Sequence, residues 1–500
     1  MLAFLVVGLG QGTVVKAIAL ILGIGLVLLV GRRPVGSLIA LLVGVPFHNM
    51  LFTTLYRFGA PEQLIRQGIQ WKEILIIGIL VEGIRRAVVQ RHRLDLLDAF
   101  GLLYVGLGTL YLALPGFFAN GEAGESLDLT TRLLGWRTDV LYVALFLACR
   151  HLRLAQDEVR RILRAFLITA TAVAAIGLFE FFFSSTWNRL WIEWIDYPRY
   201  KLNIMHADPL VDRQLRTLDI RVYTAVGGRD VLRIGSVMLD YNPLASYLLI
   251  AVGVLADRIV RGVGSVRVYA ALPICGAALL LTQTRSAVLA AGIVLLLSLV
   301  RRSGHSQAGA GARVRFSLVL GGILVFAVPI ALSVGLVARF NGEDDYSSNQ
   351  VHEDSLSLSY STMIDHPLGQ GLATAAGVGQ RANVTDRVIT ETQPLQIGVQ
   401  LGFLGLALWL AFVVLSIIVT GRTASRAPPG ELGGLAGIRT SLIGLCIAGL
   451  LLQNFIDFSV TWSLWTIVGC TLGTLETGTR EAVLGAAPPL PLRRPLAARA

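Results

Sequence analysis

Stretches of about 20 apolar residues, almost none with an internal charge, recur along this chain and are separated by short polar loops. Each is long enough to cross roughly 30 Å of hydrocarbon as a helix. That recurrence leaves little choice of architecture. With 54% hydrophobic residues, only 15% charged ones and a mean hydropathy of +0.67, the chain reads as an integral membrane protein of the all-α class. A polytopic transmembrane helical bundle of about 12–13 spans is expected, with two large extracytoplasmic segments that contain short interfacial helices. The first apolar stretch, residues 14–30, has no small-residue cleavage site after it and further spans follow, so it reads as an anchor helix.

The apolar stretches place helices near 14–31, 36–56, 73–84, 97–117, 137–150, 162–183, 243–257, 268–283, 285–300, 315–337, 394–420, 438–454 and 458–475. This divides the chain into N-terminal transmembrane helices (1–183), an extracytoplasmic segment (184–241) and central transmembrane helices (242–338). A second extracytoplasmic loop (339–392), C-terminal transmembrane helices (393–476) and a basic, proline-rich, disordered cytoplasmic tail (477–500) complete it.

The 43 Lys and Arg against 32 Asp and Glu do not point to nucleic acid, because the basic residues gather in short loops between spans. Arg32 and Arg33, Arg85 and Arg86, Arg91 and Arg93, and the stretches 150–164, 258–267, 301–315 and 422–439 follow the positive-inside pattern and belong in the cytoplasm. Alternation then puts 116–137, 184–241 and 339–391 outside. The second of these begins with Trp187, Trp191, Trp194 and Tyr197 at helical spacing, with Asn188, Arg189 and Glu193 away from them. Such a helix lies in the membrane interface, either as an aromatic belt or as a floor that steers a lipid-linked substrate. The four cysteines, Cys149, Cys275, Cys446 and Cys470, fall in or beside apolar stretches without paired or metal-type spacing and read as packing residues.

Phosphate-loop, zinc-protease and serine-hydrolase motifs are missing from the sequence. The acidic clusters Glu343, Asp344, Asp345 and Glu353, Asp354 lack ordered ligand spacing, and neither metal nor cofactor is expected. Three elements stand out on the same side of the membrane. Arg233 precedes Gly235 and a helix entered through Asn242 and Pro243; Arg285 marks a tight turn between two spans; and a His366-Pro367 turn with Gly369 and Gly371 is followed by Glu391, where the long polar loop runs back into an apolar helix.

In these elements the sequence resembles the O-antigen ligase and polymerase family, over roughly residues 176–410 and in consecutive order. The matching features are the aromatic span end at 177–181, Arg233 and Gly235 ahead of the Asn242-Pro243 to Tyr247 helix, the Thr282-Gln283-Thr284-Arg285 turn, and the His366 to Gly371 segment. The family's closing signature keeps its spacing in Glu391, Thr392, Gly402 and Gly405, but Glu391 stands where ligases carry a histidine.

The resemblance implies a membrane glycosyltransferase of the bacterial inner membrane with its active site on the periplasmic side. Its partners would be an undecaprenyl diphosphate-linked oligosaccharide donor, a glycan or glycolipid acceptor and the lipid bilayer, in cell-envelope polysaccharide biosynthesis. By that resemblance Arg233 and Arg285 bind the diphosphate, which planar, permanently charged guanidinium groups suit well. Glu391 is the general base, since partial loss of hydration at the boundary makes a carboxylate a better proton acceptor near neutral pH. Arg381, Arg387 and His366 are additional candidate contacts, with His366 more readily explained as part of a turn that admits close backbone approach. The glutamate in place of histidine favours a polymerase, or a ligase with an unusual acceptor, over a lipid A core O-antigen ligase proper. A solute or anion (bicarbonate-like) transporter would instead show charged or Gly- or Pro-broken helices at mid-membrane and a repeat between halves, neither of which stands out.

Overall fold

The computed structural model describes residue 25 and residues 30–114, 127–210, 212–226, 229–261, 265–300, 348–375, 388, 390–426 and 435–485. Most of the span expected near 14–31 and all of that near 315–337 lie outside these residues. In chain order the helices are α1 (Pro34–Gly44), α2 (His48–Arg57), α3 (Glu62–Gly68), α4 (Trp71–Val89), α5 (Leu96–Ala113), α6 (Leu129–Asp139), α7 (Leu141–His151), α8 (Gln156–Phe182), α9 (Ser184–Arg189), α10 (Tyr197–Asn203) and α11 (Arg213–Thr217). A hairpin of β1 (Val222–Val226) and β2 (Arg229–Arg233) follows, then α12 (Tyr241–Val260), α13 (Val266–Leu281), α14 (Arg285–Val300), α15 (Ser348–Asp365), α16 (Gln393–Arg426), α17 (Leu435–Gly449) and α18 (Phe458–Gly485).

The protein is a multi-pass, all-α membrane protein. Among the described residues, five helices are long and apolar enough to cross a membrane: α5, α8, α12, Gln393–Ala424 of α16 and Phe458–Leu475 of α18. Helices α1 and α2 together qualify as a sixth, but they are bent by 76°. The single span expected over 36–56 is therefore broken, and Pro46, which has no N–H to donate to the preceding turn, lies at the break. Shorter apolar helices are α7, α13, Arg285–Ser298 of α14, and α17.

Helices α12 and α18 occupy the centre, with 89% of each span buried against 33% for α5. Without a hydrophobic drive between helices in lipid, close contact depends on small residues and hydrogen bonds. Helix α17 runs antiparallel to α12 in this way: Ser441 Oγ donates to the Ile250 carbonyl at 3.0 Å, and a Cβ on Gly437 would lie only 2.5 Å from the Gly253 carbonyl oxygen. Helix α7 lies along α18, where Thr474 Oγ1 donates to the Leu154 carbonyl at 2.7 Å. Cys149, Cys275 and Cys470 are buried and Cys446 half-buried, all as free thiols.

At the end of the bundle where α5 and α8 begin, Arg150 is 3% exposed and donates to Asp98 Oδ1 at 2.8 Å and Asp95 Oδ2 at 2.5 Å. Asp95 and Asp98 also form the capping box of α5. Arg86 donates to the Leu152 carbonyl at 2.6 Å at the same end, and Arg258 and Arg261 lie there at the last turn of α12. The opposite end, where α12, α14 and α16 start and α8 and α13 finish, gathers the elements singled out in the sequence.

Four local features depart from expectation. The aromatic segment is not one regular helix: α9 runs into a π turn at Leu190–Trp194. The wider turn rotates the register, so Trp187, Trp191 and Tyr197 are buried while Trp194 is 64% exposed. The β1–β2 hairpin, with Val222 opposite Arg233, was not anticipated in a helical protein. The loop expected over 339–392 contains α15. Finally, α18 continues to Gly485, into the stretch read as disordered tail from 477.

Arg150 and Asp98 are both nearly sealed, so removing Asp98 leaves the buried guanidinium leaning on Asp95, whose side chain is 47% exposed. Asp98→Ala is expected to lower stability by about 3 kcal/mol, read as a fall in the thermal unfolding midpoint of the detergent-purified protein, whereas Asp157→Ala on the exposed pair with Arg161 should change it little.

Candidate functional site

The hairpin delivers Arg233 to the turn between α13 and α14. Ile234 N–H donates to the Leu281 carbonyl at 3.3 Å and Gln283 Nε2 to the Leu232 carbonyl at 3.2 Å, so the end of β2 is stitched along the turn. The half-buried Arg233 side chain donates from Nε to the Thr282 carbonyl at 3.0 Å and from Nη2 to Thr284 Oγ1 at 3.3 Å. Its guanidinium lies 3.2 Å from the centre of the Tyr241 ring, a stacked cation–π arrangement. Thr284 Oγ1 in turn donates to Asn242 Oδ1 at 3.3 Å, in the first turn of α12. Gln283, at the tip, is fully buried with φ 52°, a left-handed conformation uncommon outside glycine. Arg285 is the next residue but one and opens α14, half-buried.

Behind Arg233 the chain is anchored by Glu180, near the end of α8. Its buried Oε2 accepts the N–H groups of Gly235 at 3.0 Å and Ser236 at 2.6 Å. Gly177, one turn earlier, leaves room for Ile234, whose Cδ1 would be 3.1 Å from a Cβ there. Of the neighbouring arginines, Arg221 pairs with Asp219 at 2.8 Å. Partial burial would push the Asp219 carboxyl up, but hydrogen bonds from the Arg221 side chain and backbone hold it below the usual carboxylate range.

Glu391 is half-buried immediately before α16 and is bracketed by contacts to the 450–457 loop. Gln453 Nε2 donates to both the Thr390 carbonyl and Thr390 Oγ1, the latter at 2.6 Å. On the other side, Phe455 N–H donates to Gln393 Oε1 at 3.0 Å. Between them, Asn454 accepts Ser246 Oγ at 2.7 Å and donates to the Leu445 carbonyl at 3.0 Å. Ser246 is one turn along α12 from Asn242. Hydrogen bonds, joined along one turn of α12 and along the backbone of residues 453–455, therefore link Arg233 and the Arg285 turn to the segment that carries Glu391.

His366 is half-buried just past the end of α15 and belongs to a turn, with Gly369 N–H donating to its carbonyl at 2.8 Å. That turn docks into a break in α16. Gly402 has φ 68° and ψ −171° inside the helix, so the Val399 and Gln400 carbonyls are left to accept Gln370 N–H at 2.8 Å and Gly371 N–H at 3.0 Å, while Phe403 N–H donates back to Pro367 O at 3.0 Å. Close approach is essential here, since a Cβ on Gly369 would lie 2.5 Å from the Gln400 carbonyl oxygen and one on Gly402 2.5 Å from the Leu368 carbonyl carbon. A buried polar face supports the break: Asp139 accepts Gln396 Nε2 at 2.7 Å and Gln400 Nε2 at 3.0 Å, and Gln400 Oε1 accepts Ala373 N–H at 2.6 Å.

Residues 270–410, just over a quarter of the chain, match the family model described as O-antigen ligase. This segment is similar to the O-antigen ligase family, as its motifs led one to expect. No curated protein matches it.

The family-matched segment contains Arg285, His366, Glu391, Gly402 and Gly405, and ends within α16; Arg233, Asp139 and the 450–457 loop lie outside it. The fold gathers Arg233 with the Arg285 turn directly, and Glu391 through α12 and the 450–457 loop. Arg381 and Arg387 lie outside the described residues, as do Glu343, Asp344 and Asp345; Glu353 and Asp354 are exposed on α15. Sequence reasoning did not single out Glu180, Asp139, Gln396, Gln400, Gln453 or Asn454 as site-building residues. A signal existed for some: Gln393, Gln396 and Gln400 recur at helical spacing in an apolar segment, a polar stripe that demands a buried partner.

Gly402→Ala would combine a left-handed backbone with a backbone clash. The expected cost is about 3 kcal/mol of stability, with enhanced proteolysis in the 366–375 turn, readable by limited digestion of the purified protein.

Proposed function

We propose that this protein is a bacterial inner-membrane glycosyltransferase that transfers or polymerises a glycan from an undecaprenyl diphosphate carrier onto an acceptor hydroxyl, with its site on the extracytoplasmic side. The similarity of residues 270–410 to the O-antigen ligase family supports the reaction class. The observation that carries the assignment of residues is the set of hydrogen bonds that, with one turn of α12 and the backbone of 453–455, links Arg233, Thr284, Asn242, Ser246 and Asn454 to the residues on either side of Glu391. The arginine-rich loop ends collect at the opposite end of the bundle, which by the charge rule is cytoplasmic.

In this reading Arg233 and Arg285 hold the diphosphate. Glu391 takes the proton of the acceptor hydroxyl as its oxygen attacks the anomeric carbon. The bond from that carbon to the diphosphate oxygen breaks, and the electron pair leaves with the diphosphate, whose charge the guanidinium groups stabilise. His366 serves the turn that docks on α16, and Arg381 and Arg387 are further anion contacts. Glutamate in place of the ligase histidine directs the proposal toward a polymerase or a ligase with an unusual acceptor. A transport path would need an open helix break, whereas the carbonyls released at Gly402 are taken up by Gln370 and Gly371.

The test is glycan transfer by purified protein in liposomes from a synthetic polyprenyl diphosphate oligosaccharide. Glu391→Gln should lower turnover about 100-fold or more while leaving donor binding intact. Arg285→Ala should weaken donor binding about 10-fold or more, and Arg233→Lys should not restore what Arg233→Ala loses, because a lysine has neither the fork nor the flat face. Retained turnover in Glu391→Gln removes the base from the proposal.

A further inference from the structure

We propose that Gln453 is a positioning residue for Glu391, and that the 450–457 loop between α17 and α18 clamps the base-bearing segment in register with the arginine end of the site. The inference rests on the reading of Glu391 as general base. It adds a part of the machinery that lies outside the family-matched residues 270–410.

The clamp closes on both sides of the base. One amide group, Gln453 Nε2, donates to the carbonyl and to the hydroxyl of Thr390, which fixes both the backbone direction and the side-chain rotamer of the residue before Glu391. Two residues after Glu391, the Gln393 side chain is tied by Phe455 N–H. Only Glu391 and Thr392 lie between the two ties, and Thr392 is itself buried. The direction in which Glu391 leaves the backbone is thereby set from outside its own helix.

The loop can act as a reference because it is anchored. Phe455 is 1% exposed and packs among Tyr142, Trp409 and Trp465, with ring centroids 6.2, 6.1 and 6.2 Å away. Asn454, also buried, uses its carbonyl oxygen for Ser246 and its amide nitrogen for Leu445, so it binds the loop to α12 and to the end of α17 together. Helix α12 begins at Tyr241 and Asn242, the residues that meet Arg233 and Thr284. A base and a phosphate-binding pair carried on separate helices must keep their separation, since a misplacement on the order of 1 Å costs about 100-fold in rate. The 450–457 loop spans that gap.

The test uses the full-length protein in liposomes with a synthetic polyprenyl diphosphate oligosaccharide. Gln453→Leu is expected to lower kcat about 10- to 100-fold while the donor KM stays within about twofold. Thr390→Val, nearly isosteric and the safer variant for folding, should reduce kcat by a smaller factor, and Thr390→Ser should restore it. Combining Gln453→Leu with Glu391→Gln should add no further loss beyond Glu391→Gln alone, as expected for a residue that acts through the base. A Gln453→Leu enzyme with unchanged kcat overturns the clamp, as does a loss that multiplies with that of Glu391→Gln. If Glu391→Gln itself turns over normally, the functional reading fails instead. If Gln453→Leu does not fold, equal kcat values for Thr390→Val and Thr390→Ser overturn the proposal.

Discussion

The docking of the 366–373 turn into the break at Gly402 is the interaction on which the rest of the site depends. Inside a membrane protein a helix cannot simply stop, because carbonyls released from the ladder have no water to turn to and each unsatisfied group costs several kcal/mol. Here the release is met locally: Gln370 and Gly371 offer N–H groups to Val399 and Gln400, and Pro367 accepts from Phe403. The break therefore holds the turn, and the turn holds the break. The first part of α16, from Gln393 to Leu401, becomes a strut of about 13 Å between this joint and Glu391. That strut explains in physical terms why the spacing from Glu391 to Gly402 matters.

The buried amide face of α16 does the remaining work of orientation. Gln396 and Gln400 converge on both carboxylate oxygens of Asp139, while Tyr104 Oη donates to the Asp139 carbonyl at 2.9 Å. A carboxylate this deeply sealed is costly unless its oxygens are bonded, and these bonds are directional. They choose which face of α16 turns inward. Gln400 then extends the same network to Ala373, so the helix, the turn and α6 form a single unit.

Much of this architecture was legible in the sequence, for reasons that can be assigned residue by residue. Apolar runs declared α5, α8, α12, α16 and α18, because a span must be long and uncharged. The His366-Pro367 turn with Gly369 and Gly371 declared a close backbone approach, while Gly402 and Gly405 were legible only as a spacing from Glu391. What the sequence concealed depended on geometry that composition does not encode. Pro46 lay inside an apolar stretch read as one span over 36–56, and the 76° bend there was not anticipated. Tryptophans at regular spacing implied a regular helix, whereas a π turn displaced Trp194 from its companions. Two runs of strand-forming residues around Gly227 and Gly228 were a hairpin signal that the helical context overshadowed. Asn454 and Gln453 were silent because their partners, Ser246 and Thr390, are distant in the chain and only the fold brings them together.

The flat stacking of Arg233 on Tyr241 carries a consequence for direction. An aromatic ring 3.2 Å beneath a guanidinium closes one face of it, and the bonds from Nε and Nη2 fix the plane against rotation. An arginine held this way is no longer a diffuse positive charge that attracts anions from any side. It becomes an oriented receptor whose hydrogen bonds lie in one plane, so an incoming anion is selected by its angle of approach as well as by its charge. A long amphiphile entering from the bilayer would be ordered head first by that plane before any chemistry began.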